Sequence, residues 1–326
     1  MGRYLIRRVL FGVLVLFVIS ILTFLIFMKL PPGDPARRLA GKGANPETLQ
    51  QVRVNFGLDL PLLVQYGRFA KGLLPWPGDE DSFLDEDIYY SWSNRVEVRA
   101  EIARAFPVTL VLTFGAVILW LVIGIPIGII SALKRRSVAD RASMTFALFG
   151  VSFPTFLLGL LLLYIFYYKL RWVPPSGFNI GDNALTAMIG GKFTLAWITL
   201  AVTSAAYYTR VVRGNMLETM SEDYIRTARA KGLSETRVIY KHAMRSSLTP
   251  VVTMLGLDVA VLLGGAVITE TVFNLHGLGL YAIRSLELTD FPAVMAVTIL
   301  AAVFIVVANL VVDVVYAFLD PRVRFT

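Results

Sequence analysis

Residues Ser221–Pro250 read SEDYIRTARAKGLSETRVIYKHAMRSSLTP, a charged island set between two long apolar segments. The island is too polar to cross a bilayer and too well punctuated to be a slack loop. Ser221 can cap a first helix, Gly232 suits its C-terminal stop, and Ser234 can cap a second. The reading is helix, tight turn, helix. In the second helix Ile239 and Ala243 recur at helical spacing, as do Tyr240, Met244 and Leu248, so an apolar stripe faces one way while Arg237, Lys241 and Arg245 face elsewhere. A basic amphipathic helix of this kind lies among anionic headgroups or seats on a protein. Two features favour the protein: Ala228, Ala230 and Gly232 permit close approach of another backbone, and the turn fixes the angle between the two helices.

Working outward, the rest of the chain is apolar. It has 326 residues, 56% of them hydrophobic, which excludes an ordinary soluble enzyme and points to an all-α polytopic membrane protein. Val9–Met28, Ala105–Leu133 and Ala142–Tyr168 carry no charge, and each is long enough for a hydrocarbon core of about 30 Å. Three further spans are expected at Phe193–Thr209, which is short and rich in Thr, Ser and Tyr, at Val251–Phe273, and at Phe291–Leu319. That makes six, with the island between the fourth and fifth. Arg3, Arg7 and Arg8 precede the first span as in a signal peptide, but the apolar run is too long and no small-residue cleavage site follows it, so it reads as an uncleaved anchor.

An even number of spans puts both termini, the Lys134–Arg141 loop and the 210–249 island on one side. That side carries 17 of the 31 Lys and Arg against six acids, whereas the other carries 14 against 15, counting Glu270 at the outer end of its span. The positive-inside rule therefore predicts cytoplasmic termini and a cytoplasmic island. The net charge of +8 reflects this topology and gives no reason to expect a nucleic-acid partner.

The chain is expected to be a single membrane domain over residues 1–326, with an outer segment at 30–104. That segment opens on a rigid Pro-rich exit, continues with short helices expected at Asn45–Phe56 and Leu60–Leu74, and then carries the acidic run GDEDSFLDEDIYYSW. The run lacks the mid-loop Gly and terminal Glu of an EF-hand, so a solvated acidic tip from Asp79 to Asp87 is expected.

Catalytic chemistry finds little foothold. No Gly-x4-Gly-Lys-Ser/Thr stretch is present to cradle nucleotide phosphates, since Gly191-Lys192 runs into Phe193. The chain has no Cys, and its two histidines, His242 and His276, fall on opposite faces of the membrane, so neither a thiolate site nor a His pair for zinc is expected. A serine protease within the membrane lacks a buried His as base. The ionisable residues inside or beside the spans are candidates for the translocation path: Asp258, Glu270 and Asp313, with Asn309. Asp258 and Asp313 fall at similar depth from the inner ends, so they either share a polar, water-filled region or are hydrogen-bonded to Ser, Thr or Asn of neighbouring helices. Glu270 is either a lining group or an interface residue. Gly124 and Gly128, flanking Pro126, form a small-xxx-small pair for helix packing.

The island resembles the cytoplasmic coupling loop of ABC-importer permeases, whose pattern is Glu-Ala-Ala, three residues, then Gly. Arg226, Thr227 and Ala228 stand at the first three positions and Gly232 at the last, while the usual Ile-x-Leu-Pro ending is replaced by His242–Arg245, with Pro250 five residues later. DYIRTARAKGLS and KHAMRSSLTP are similar to the dipeptide, oligopeptide and nickel branch. So are LPPGDPA, FGLDLP with Gln65 and Tyr66, FPVTL at Phe106, SFPTF at Ser152, WVPPSG at Trp172, the Gly264–Glu270 run, GLG at Gly277 and DPRVR at Asp320. Two departures lie in the outer regions: the acidic insertion, and His276 where the family usually has Pro.

This resemblance implies a six-span permease subunit of an ATP-driven importer in a bacterial or archaeal cytoplasmic membrane. Its partners would be a second, similar permease, two cytoplasmic ATPase subunits that bind ATP and Mg, and an extracytoplasmic peptide-binding protein. No cofactor is expected in this chain. Coupling to the ATPase would fall to Asp223, Arg226, Thr227, Ala228, Ala230, Lys231, Gly232, Ser234, Arg237 and Tyr240. Di- and oligopeptides are the expected cargo, with nickel chelates, glutathione or other small solutes as the alternative. From a different class, an ion-coupled secondary transporter would use Asp258 and Asp313 as a relay and would not need the island.

Overall fold

The computed structural model describes residues 2–319 apart from 31–32, 35, 38–43, 56, 74–90, 92, 94–95, 175 and 178–183. The acidic stretch from Asp79 to Asp87 and the DPRVR segment lie outside the described residues. The described chain is built of helices. In order they are α1 (Gly2–Phe24, continued by a π-helical turn Leu25–Lys29), α2 (Pro46–Asn55), α3 (Leu62–Leu73), α4 (Val98–Leu133), α5 (Val138–Ser152), and α6 (Thr155–Leu162, continued by π-helical Leu163–Lys169). They are followed by α7 (Ala184–Ile189), α8 (Thr194–Ser221), α9 (Asp223–Ala230), α10 (Glu235–Ser247), α11 (Thr249–Leu263), α12 (Val267–Val272), α13 (Leu278–Glu287) and α14 (Phe291–Leu319).

By length and apolarity three helices can cross a membrane unaided: Ile6–Lys29, Val98–Leu133 and Phe291–Val314. Two bent pairs raise the number to five if each is one span. The third expected span, Ala142–Tyr168, is not straight; α5 and α6 meet at 101°. The cause is local. Pro154 disfavours helical backbone at the residue before it, and Phe153 is accordingly extended, at φ −83° and ψ 123°. The second bent pair is α10 with α11, which meet at 47°, and the fifth expected span is carried by α11, which ends at Leu263, and by the short α12, which begins at Val267. The fourth, Phe193–Thr209, forms the first part of α8, which runs on to Ser221. Its Thr199, Tyr208 and Thr209 keep it less apolar than the other spans, but all three are buried inside the protein and none faces lipid.

The core is the crossing of α4 and α8, where Leu112, Ala116 and Trp120 meet Ala201, Ala205, Tyr208 and Val212. Gly124 and Gly128 make this crossing close: a Cβ on Gly124 would sit 3.0 Å from the Ala205 carbonyl, and one on Gly128 2.9 Å from that of Thr209. The small-xxx-small pair is therefore a packing device, inside a helix that runs unbroken through Pro107 and Pro126. On the outside the pattern inverts. Leu10, Phe11, Val13, Leu14 and Phe17 of α1 are exposed, as a lipid-facing helix requires.

The 30–104 segment is tied to this bundle by aromatic contact. Phe24 of α1 meets Tyr66 and Phe69 of α3 at 5.7 and 5.5 Å between ring centroids, and the Tyr66 hydroxyl shares a 2.8 Å hydrogen bond with Ser20. The Gln65 amide donates to the carbonyls of Leu58 and Leu60, closing the turn before α3. In the exit from α1, the Arg53 guanidinium donates to Asp34 and holds its carboxyl below the ordinary carboxylate range.

Candidate functional site

The island folds as the sequence predicts in outline and differs in its details. Ile225 and Ala228 of α9 and Val238 and Ala243 of α10 pack on Ala132 at the end of α4 and on Met216 of α8, with Leu217, Met220, Leu233 and Ile239 around them. The helix pair is thus mounted on the ends of the two central helices. Across the turn, Arg229 donates to Glu235 through two nitrogens, at 2.7 and 3.3 Å, linking α9 to α10. Gly232 has φ +74°, the left-handed region that glycine enters without penalty, and its amide donates to the Arg229 carbonyl at 2.9 Å. A Cβ at this position would meet nothing within 4 Å, so the turn projects into open space.

Three expectations about local geometry change. Ser221 does not cap α9: it ends α8, its hydroxyl donates to the Glu218 carbonyl, and Glu222 holds the extended cap position. Ser234 sits at the cap position of α10, but its side chain makes no capping bond. Tyr240 leaves the apolar stripe, being 67% exposed. Over Val238–Ala243 the helix is π-helical, and bonds spanning five residues instead of four rotate the buried face onto Val238, Ala243 and Ser247.

Among the expected coupling residues, Ala228 is buried against the chain's own core, so its small size serves internal packing. The rest of the set divides little further: Asp223, Arg226, Thr227, Ala230, Lys231, Gly232, Ser234, Arg237 and Tyr240 are all exposed. Arg226 pairs with Asp223 at 3.3 Å along one face of α9. Sequence reasoning missed the anchor beneath them. Asp140 at the start of α5 receives the Arg213 guanidinium through two bonds of 2.7 and 3.0 Å, the Ser131 hydroxyl at 2.6 Å and the Arg136 amide at 2.8 Å. That one carboxylate joins α4, the following loop, α5 and α8. Its signal in the sequence is a lone acid in the basic loop Lys134–Arg141.

The expected path residues separate. Asp258 on α11 accepts a 2.6 Å hydrogen bond from the Tyr208 hydroxyl, whereas Asp313 on α14 pairs with Arg8 of α1 at 3.1 Å. The two acids have different partners on different helices. Asn309 lies with Asp313 along a groove between α1 and α14. Glu270 is fully buried and committed to its own chain. One oxygen accepts from the Thr109 hydroxyl at 2.8 Å and the Ala266 amide at 3.3 Å, and the other accepts from the Leu280 amide at 2.8 Å. Thr109 in turn accepts from the Leu278 amide. The GLG turn packs directly on this knot, since a Cβ on Gly277 would lie 2.6 Å from the Glu270 carboxyl carbon.

The described residues form a helical bundle of apolar helices whose two central helices carry an exposed helix-turn-helix at their ends, the architecture of a membrane permease. The chain belongs to the binding-protein-dependent transport system inner membrane components: the family model of that description matches residues 124–325, and the companion N-terminal model matches residues 1–113. It is 39% identical over 325 residues, spanning the whole of both chains, to the glutathione transport system permease protein GsiC of Escherichia coli (strain K12), and equally so to that of Shigella boydii serotype 4 (strain Sb227). Among solved structures it is similar to a chain of the MetNI methionine ABC transporter in an inward facing conformation, with a TM-score of 0.53, 17% identity, and coverage of 68% of this chain and 97% of that one. That likeness shows a shared fold. The protein is thus a multi-pass, inner-membrane permease subunit of an ABC importer.

Proposed function

We propose that this chain pairs with a similar permease subunit to form the path for di- and oligopeptides, driven by two ATPase subunits and supplied by an extracytoplasmic binding protein. The observation that carries this reading is the mounting of the island. Its outer face is free and polar, and its inner face is bolted to α4 and α8 through Ala132 and Met216. Closure of an ATPase dimer against α9 and the Gly232 turn would move the ends of the central helices as one body, which is what alternating access requires. Nucleotide and Mg belong to the ATPases. The named function of the relatives, glutathione transport, fits a short-peptide cargo, because glutathione is itself a tripeptide.

The rival relay of a secondary transporter needs Asp258 and Asp313 to exchange protons. Their separate partners, Tyr208 and Arg8, speak against it. The test is purification of the chain from its native membrane. ATPase subunits are expected to copurify, and the reconstituted complex should take up dipeptide in an ATP-dependent manner; uptake driven by a proton gradient without ATPase would overturn the proposal.

The proposed orientation places both termini and the island in the cytoplasm, on the strength of the Lys and Arg asymmetry. In sealed inside-out vesicles, trypsin is expected to cut between Arg226 and Arg245, where Arg226, Lys231, Arg237, Lys241 and Arg245 are exposed, and to spare the 30–104 segment. Cleavage confined to the outer segment would reverse the topology.

A further inference from the structure

Between the α5–α6 bend and helices α8 and α11 lies a recess of about 410 Å³, and Asp258 is its charged lining residue. The carboxylate sits about 12 Å along α11 from Pro250 at 1.5 Å per residue, well inside the expected span. One of its oxygens accepts from Tyr208, and no hydrogen bond among the described residues engages the other. Around it stand the hydroxyl side chains of Thr203 and Ser204, and an aromatic wall formed by Tyr207, which is 48% exposed, and Trp120. Trp120 is 1% exposed, and its indole N–H has no hydrogen-bond partner among the described residues. A lone carboxylate facing lipid is strongly disfavoured, so this recess faces protein or a watery path.

Each feature narrows the chemistry of the occupant. A metal ion needs several ligands, and among the described residues no group of three or more acidic or His side chains could hold one. A proton relay needs a second titrating acid or base beside Asp258, and the recess supplies none except tyrosines. A protonated primary amine needs what is present: one carboxylate to pair with, hydroxyl oxygens to accept its remaining hydrogens, and aromatic faces to hold its charge.

We propose that this recess is a cargo site inside the permease that receives the amino-terminal ammonium of a short peptide on Asp258, with Trp120 and Tyr207 as its walls. The inference rests on the peptide-importer reading above and assigns that path its first specific contact. It also gives the permease a means of reading cargo that is independent of the binding protein.

The test uses the purified permease–ATPase complex without binding protein and measures retention of radiolabelled alanyl-alanine. Unlabelled alanyl-alanine is expected to displace the label, and N-acetyl-alanyl-alanine to do so about tenfold less well, the factor expected for loss of one charge-assisted hydrogen bond. In Asp258→Asn, which keeps the shape and an acceptor but removes the charge, that preference is expected to disappear. Equal displacement by the acetylated peptide, no retention by the wild-type complex, or an undiminished preference in Asp258→Asn overturns the site. If Asp258→Asn fails to assemble, the wild-type competition decides alone. Failure of the importer reading looks different: no ATPase copurifies and no ATP-dependent uptake occurs, whereas the amine site can fail with both intact.

Discussion

Replacing Glu270 by alanine is expected to remove the folded protein from the membrane. The carboxylate accepts from the Ala266 and Leu280 amides and from the Thr109 hydroxyl, all in a fully buried position. Truncation leaves three buried donors without an acceptor. At about 1 to 3 kcal/mol for each unsatisfied group, the loss approaches the whole stability of an ordinary domain. The damage would also spread. The knot holds the break between α11 and α12, the GLG turn and α4 together, so the ends of several helices are released at once. Glu270→Gln keeps one carbonyl acceptor but turns an amide group toward a backbone donor, and should fall between wild type and alanine. The measurement is the thermal midpoint and yield of the purified complex. An alanine variant with wild-type yield and midpoint would show that Glu270 is not structural, and would return it to the path.

The role of Glu270 was not legible in the sequence because its partners are remote or backbone. Thr109 stands 161 residues away, and nothing about a Glu near a span end names a backbone amide as its target. The apolar spans, by contrast, could be read directly, since length without charge is the only requirement lipid imposes. Their bends were harder. SFPTF was recognisable as a motif, yet the 101° turn follows from Pro154 acting on Phe153 within a segment whose composition is uniformly apolar. Equal depth of Asp258 and Asp313 was also readable, but depth says nothing of direction around a helix. Direction is what gave them Tyr208 and Arg8 as separate partners. Tyr208 itself lies in the Thr-, Ser- and Tyr-rich run of the fourth span, and this polarity is the mark of a helix buried among others. Tyr240 was misplaced for a related reason: spacing by four assumes α-helical bonding, and the π-helical stretch breaks that assumption.

Substituting tryptophan at Gly232 is expected to uncouple transport from ATP hydrolysis while leaving the protein abundant. Two effects must be separated. Gly232 has φ +74°, where any residue with a Cβ is strained by roughly 1 to 2 kcal/mol, although asparagine tolerates this region better than most. Gly232→Asn therefore tests the turn, and its complex should retain ATPase and transport. Tryptophan adds bulk at an exposed turn where a Cβ would meet nothing of the chain itself within 4 Å, so the side chain points away from the fold and toward a seated partner. Blocking a hot-spot contact costs about 2 kcal/mol or more, which corresponds to at least about a thirtyfold loss of ATPase affinity and shows as lower ATPase retention and lower uptake. Charge reversal at Arg237 or Lys241 should do less, because exposed ion pairs contribute only about 0.2 to 1 kcal/mol. The paired readout is ATPase retention on the purified complex and dipeptide uptake in reconstituted vesicles. If Gly232→Trp is normal in both, no partner seats on the turn, and the island lies on the membrane surface as a basic amphipathic helix.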